Sequence, residues 1–234
     1  MKNKKKSKAF TLAEVLITLT IIGVVSALTI PNMIKQNEKQ MTALQLKKIY
    51  SQLNQVIKFI ITNEGEQALA QKPATFVQEY ILPNFKGTEY FAPSGNHLKA
   101  MCYEPNDFYI GAKNGVDAQY AFSNKKGQSS GSISTPFYYT TASIRLAGGA
   151  CIGFNQLINP PIYADSTIFV DVNGSNKPPN RAGRDLFFFY VDQDTYTVTP
   201  TDKVGRLDFT GNGFGAKIIM SNGWIIDKNY PWQK

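Results

Sequence analysis

The sequence predicts an α+β fold, in which one long N-terminal helix packs on a C-terminal antiparallel sheet. Three observations predict it. An apolar run covers residues 10–30, about the 20 residues that a helix needs to cross a bilayer core. Apolar residues then recur at intervals of three and four from Leu46 to Ile60. Beyond Thr140, short β-rich runs alternate with turn residues to the C-terminus. A chain of 234 residues that is 43% hydrophobic and only 18% charged can bury one sizeable core. Its 12 Tyr and 15 Phe exclude a disordered chain.

Residues 1–9 form a basic leader and residues 10–30 the membrane-length helix, so the excess of lysine sets the first residues in the cytoplasm and everything after Pro31 outside. Lys2, Lys4, Lys5, Lys6 and Lys8 supply five of the eight net positive charges. A chain without its leader carries a net charge near +3, a weak electrostatic case for nucleic acid or any other polyanion. Two ordinary readings compete here. One is a secretory signal peptide cut after Val25-Ser26-Ala27, which would release a soluble protein starting at Leu28. The other is a plain single-span anchor.

Neither accounts for Glu14. A carboxylate within a spanning helix costs roughly 2.5–3.5 kcal/mol on insertion scales and marks a partner or a pathway. If a peptidase cuts after Ala9, Phe10 gains a free α-amino group one helical turn from Glu14. Within one helix the two meet only loosely, because the amide donors of the first turn compete for the carboxylate. Between staggered neighbours in a bundle the pair can form directly, and the charge becomes a register device for assembly.

Residues 31–64 continue the helix in amphipathic form. Leu46, Ile49, Leu53, Val56, Ile57 and Ile60 make the core face, while Lys47, Lys48, Gln52, Asn54, Gln55 and Lys58 fill the other. Asn63-Glu64-Gly65-Glu66 stops it. Residues 65–234 form the globular domain, which opens with an irregular stretch. Its prolines and the run Gly127-Gln128-Ser129-Ser130-Gly131-Ser132 predict a long connection with a helix over 76–82. Strands are predicted at 143–146, 151–154, 167–172, 186–191 and 196–198. A last hairpin is predicted over 218–226, with Asn222-Gly223 as its turn.

Cys102 and Cys151 lie beyond the span, where an oxidising setting allows a bridge between them; two free buried thiols are the alternative. Asp171-Val172-Asn173-Gly174, with Asp185 further on, resembles the start of a calcium loop, since hard cations want several oxygens on a tightly turned backbone. The full loop pattern fails, with no closing Glu, so an Asx-rich turn is the competing account. His97, the sole histidine, lacks the partners for a triad or a zinc site. Asp192 and Asp194 sit between two strand-like runs and read as a turn rather than as an acid/base pair. Trp224, Tyr230, Pro231 and Trp232 form an aromatic ending that reads as core packing or, in sharper form, as a contact with a neighbouring subunit. No glycine-rich phosphate loop and no active-site constellation is seen, so the chain is read as a non-enzyme.

The stretch Lys8-Ala9-Phe10-Thr11-Leu12-Ala13-Glu14-Val15-Leu16-Ile17 resembles the cleavage and methylation segment of type IV prepilins and type II secretion pseudopilins. Ala9 stands where glycine is commoner, and Ala13 where a larger aliphatic residue is usual. The resemblance implies a pilin-like fold, cleavage between Ala9 and Phe10 by a membrane-embedded prepilin peptidase, and methylation of the new amine. It also implies Glu14 as the assembly residue, and Pro31 as the helix-kinking proline at the exit from the membrane. The implied partners are other pilin or pseudopilin subunits, the peptidase and an inner-membrane assembly platform. The implied location is the cytoplasmic membrane, with the C-terminal domain outside, and then a fibre. Similar blocks to the Asp171 loop and the Trp-Ile-Ile ending occur in pilin-like type II secretion proteins. Major pseudopilins bind calcium near the C-terminus, with a different spelling. A minor tip subunit that captures secreted protein or DNA is the alternative of the same build.

Overall fold

A computed structural model describes residues 10–92, 102, 142–158, 167–174, 177, 183–201, 203–204, 207–208, 215–230 and 232. The chain divides into two compact units, Met1–Met41 and Thr42–Lys234. Helix α1 (Leu12–Glu64) contributes to both and runs without interruption through Pro31. In the first unit no described side chain is buried. This part of α1 is long and apolar enough to cross a membrane, and Leu16, Ile17, Leu19, Ile21 and Ile22 all lie more than half exposed.

In the second unit the predicted stripe is the core face: Leu46, Ile49, Leu53, Val56, Ile57 and Ile60 are buried, together with Ala43. Gly65, at φ 78°, ends α1, and its amide donates to the Ile61 carbonyl. The helix predicted over 76–82 starts earlier, because Pro73 occupies the first position of α2 (Pro73–Phe76), where its missing amide costs nothing. A π turn, Val77–Ile81, and a 3-10 turn, Leu82–Asn84, extend it.

The strands are β1 (Glu89–Phe91), β2 (Ala142–Arg145), β3 (Cys151–Phe154), β4 (Ile168–Asp171), β5 (Leu186–Val191) and β6 (Val198–Pro200). They pair antiparallel in chain order as one six-stranded sheet. β7 (Lys203–Val204) and β8 (Leu207–Asp208) form a separate ribbon. The register aligns Ile144, Ile152, Val170 and Phe187 across four strands, and Ala142, Phe154, Ile168 and Phe189 beside them. With a side-chain period of two, these rows share one face. That face meets α1, where the rings of Tyr50 and Phe189 lie 5.9 Å apart. The opposite face carries Cys151, Phe169 and Phe188, the last two in an edge-on pair at 5.7 Å.

Three expectations are corrected. Residues 218–226 are not a hairpin: α3 (Ala216–Ser221) is a helix, and Asn222-Gly223 ends it. The Trp224 amide donates to the Ile219 carbonyl (2.8 Å) and the Gly223 amide to Met220 (3.1 Å). This is the Schellman closure with Gly223 in the left-handed region at φ 68°. The same dipeptide serves a hairpin or a helix end because both need a positive φ at glycine. Second, β6 starts at Val198 rather than Tyr196. Tyr196 adopts φ 50° and its amide returns to the Asp192 carbonyl, so it belongs to the turn. Third, Asn54 is not on the solvated face. Its Oδ1 accepts the Val198 amide of β6 at 2.9 Å, while its Nδ2 donates to the Tyr50 carbonyl at 3.0 Å. The run Gly127–Ser132 lies outside the described residues.

Candidate functional site

The start of α1 is a reciprocal cap. The Thr11 amide and hydroxyl both donate to Glu14 Oε2, each at 2.8 Å, and the Glu14 amide donates to Thr11 Oγ1 at 3.2 Å. This is the capping box, Ser or Thr followed three residues later by Glu, and it satisfies two of the amides that a helix start leaves unpaired. Thr11-Leu12-Ala13-Glu14 carries that signature in plain sequence, and the reading from sequence missed it. Glu14 Oε1 has no partner among the described residues. Phe10 is 86% exposed. Ala9 and the leader lysines lie outside the described residues.

Cys102 and Cys151 are bridged, with Cα atoms 6.0 Å apart and 49 residues of separation. Both are buried. Cys102 sits at φ 60°. The Arg145 guanidinium donates to its carbonyl, pairs with Glu89 at 2.9 Å, and covers the Phe91 ring at 4.8 Å. One arginine thus ties the bridged residue to the β1–β2 edge.

The Asp171 loop is an Asx turn. Asp171 Oδ1 accepts the amides of Asn173 (3.2 Å) and Gly174 (2.8 Å). Asp185 is buried nearby and its carbonyl takes the Val172 amide at 2.9 Å. Asn173 Oδ1 is buried without a partner among the described residues. Among the described residues no group of three or more His, Cys, Asp and Glu side chains converges on one point. Calcium takes 6–8 oxygens, backbone carbonyls among them, and in the described part of the loop Asp171 Oδ1 is turned to the Asn173 and Gly174 amides. Pro178, Pro179 and Asn180 lie outside the described residues, as does His97.

Asp192 caps its own turn. Its Oδ1 accepts from the Thr195 hydroxyl (2.8 Å), the Thr195 amide (2.9 Å) and the Asp194 amide (3.1 Å). These donors hold the Asp192 carboxyl below the usual carboxylate range. Of the aromatic ending, Trp224 packs on Tyr50 at 5.3 Å, and Tyr230 is buried with its hydroxyl donating to the Gly183 carbonyl. The Arg184 guanidinium lies 5.4 Å from the Trp232 ring centre. Pro231 lies outside the described residues.

Residues 4–30 match the family model described as the prokaryotic N-terminal methylation motif. This segment is the prepilin-type cleavage and methylation segment of type IV pilins and pseudopilins, and it supports a pilin-like or pseudopilin precursor. The match holds the leader, the capping box and the apolar start of α1; the Asp171 loop and the aromatic ending fall outside it. No curated protein and no solved structure matches the chain.

Proposed function

We propose that the protein is a non-enzymatic subunit of a type IV pilus-like or type II secretion pseudopilus fibre. It waits in the cytoplasmic membrane with everything after Pro31 outside. A prepilin peptidase cuts between Ala9 and Phe10 and methylates the Phe10 amine, and an inner-membrane assembly platform then adds the subunit to a growing fibre through α1. The carrying observation is the methylation motif over residues 4–30, laid on a membrane-length apolar helix that keeps one carboxylate near its start. Glu14 does two jobs in this reading. Oε2 closes the cap on Thr11, and Oε1 accepts the amine of a neighbouring Phe10, which offsets the cost of a carboxylate in lipid. Pro31, which withdraws the amide that the Ala27 carbonyl would have used, marks where α1 leaves the bilayer.

Two variants separate the jobs. Glutamine retains the capping box but carries no charge, whereas alanine loses both. If the charge pair drives assembly, Glu14→Gln and Glu14→Ala are both processed and membrane-inserted yet yield little fibre. Normal fibre from Glu14→Gln would reduce the residue to a cap. Mass spectrometry of the mature N-terminus tests the whole reading: N-methyl-Phe10 is expected, and an intact leader or a chain starting at Leu28 overturns it.

A further inference from the structure

A shallow groove of about 230 Å3 lies on the globular unit, lined by Gln45, Lys48, Ile49 and Gln52 of α1, by Lys86 and Val172, and by the turn between β2 and β3. Lys48 and Lys86 are exposed, and among the described residues neither has an acidic partner. Two cations and two amides beside apolar groups are a lining that suits a carboxylate.

Four acids of the same unit lie away from the groove. Glu64 and Glu66 lie at the end of α1, where the Tyr196 hydroxyl bonds Glu66. Asp192 and Asp194 stand in the β5–β6 turn that Tyr196 closes. From Lys48 to Glu64 the helix rises about 24 Å. The sheet repeats the separation: Val172, at the groove, bonds Asp185 just before β5, and the acidic turn follows the far end of that strand, about 17–20 Å away. Groove and acidic turn therefore cannot meet within one chain, but they can meet between two.

We infer that the β5–β6 turn of one copy docks in the Lys48/Lys86 groove of the next, with Asp194 as the carboxylate that enters. Asp192 is spent holding the turn, whereas Asp194 is exposed and its carboxylate has no partner among the described residues. A turn already fixed by three hydrogen bonds loses little freedom on docking. The contact joins two different surfaces, so it is head-to-tail and is of the kind that can repeat along a filament. It rests on the fibre reading, which brings copies side by side.

Carbodiimide coupling of the full-length chain in its fibres or solubilised membranes tests it, since this reagent links only amines and carboxylates already in contact. The expected products are peptides joining Lys48 or Lys86 to Asp194, which the separation within one chain restricts to pairs of copies. Lys48→Glu, which leaves the Lys86 amine to couple, should lower the Lys86–Asp194 yield about three-fold, the worth of one exposed ion pair. Adding Asp194→Lys to Lys48→Glu should give a link of reversed polarity between positions 48 and 194, which a merely misfolded variant could not do. Both lysines coupled to other carboxylates, or an undiminished Lys86–Asp194 link in Lys48→Glu, overturns the contact. A chain that carries N-methyl-Phe10 but lacks these links overturns the contact and leaves the fibre reading standing; an intact leader with the links retained does the reverse.

Discussion

Replacing both Cys102 and Cys151 by alanine should destabilise the globular unit by about 4 kcal/mol. The bridge joins residues 49 apart, and restricting a loop of that size in the unfolded chain removes roughly 14 cal/mol/K of entropy, about 4 kcal/mol at 25 °C. The folded state keeps other ties at this point, because Arg145 still reaches the Cys102 carbonyl and still pairs with Glu89. The loss should thus appear as a less restricted unfolded chain rather than as a rearranged sheet. Urea unfolding of the full chain in mild detergent, followed by the fluorescence of Trp224 and Trp232, reads it out. With a slope of about 2 kcal/mol per molar urea, the midpoint should fall by about 2 M. A fall below about 0.5 M, with the slope unchanged, would refute the loop-closure account.

Gly174→Ala should cost about 2–4 kcal/mol, measured by the same unfolding curve. Gly174 sits at φ 81°, and an added Cβ would lie 2.1 Å from the Gly149 carbonyl oxygen, where both partners are backbone. Asn54→Ala should cost about 1–2 kcal/mol by leaving the Val198 amide unpaired; a loss within error would place water at that amide. Asp192→Asn should flatten the acid limb of stability. The folded pKa of Asp192 is lowered, first by the Thr195 hydroxyl, then by the Thr195 and Asp194 amides. Its contribution is therefore complete above the ordinary carboxylate pKa and is lost as pH falls through the lower folded value. Asparagine keeps the acceptor but does not titrate. An unchanged acid unfolding curve would contradict the assignment.

Periodicity carried the long helix and its buried stripe, and β-rich runs between turn residues carried β3 and β5 with their bounds unchanged. What went astray was conformational ambiguity. Asn222-Gly223 needs a positive φ in either structure, and the residues before it, Ala216-Lys217-Ile218-Ile219-Met220, suit a helix as well as a strand. Asn54 was misplaced because a polar residue beside the core stripe looks solvated until an edge strand arrives with an amide to satisfy. β1 went unforeseen because its three residues pair with β2, more than 50 positions away, and no local pattern encodes that partner.

The two parts of the function differ in the same way. The methylation segment was legible because its residues are consecutive: a small residue, a phenylalanine, a threonine, a carboxylate three residues on, then apolar side chains. Even there the carboxylate was read only through an absent partner, although its local partner, Thr11, was in the same stretch. The groove has no such line of residues. Lys48 and Lys86 are 38 positions apart, and they meet Val172 only because α1 and the end of β4 come together in the fold. Charges that are scattered in sequence and gathered in space cannot be screened one by one. A formal charge near +3 without residues 1–9 therefore says little about the local pattern, which sets two lysines at the groove and two aspartates in the β5–β6 turn, and the proposed head-to-tail contact rests on that separation, not on the net value.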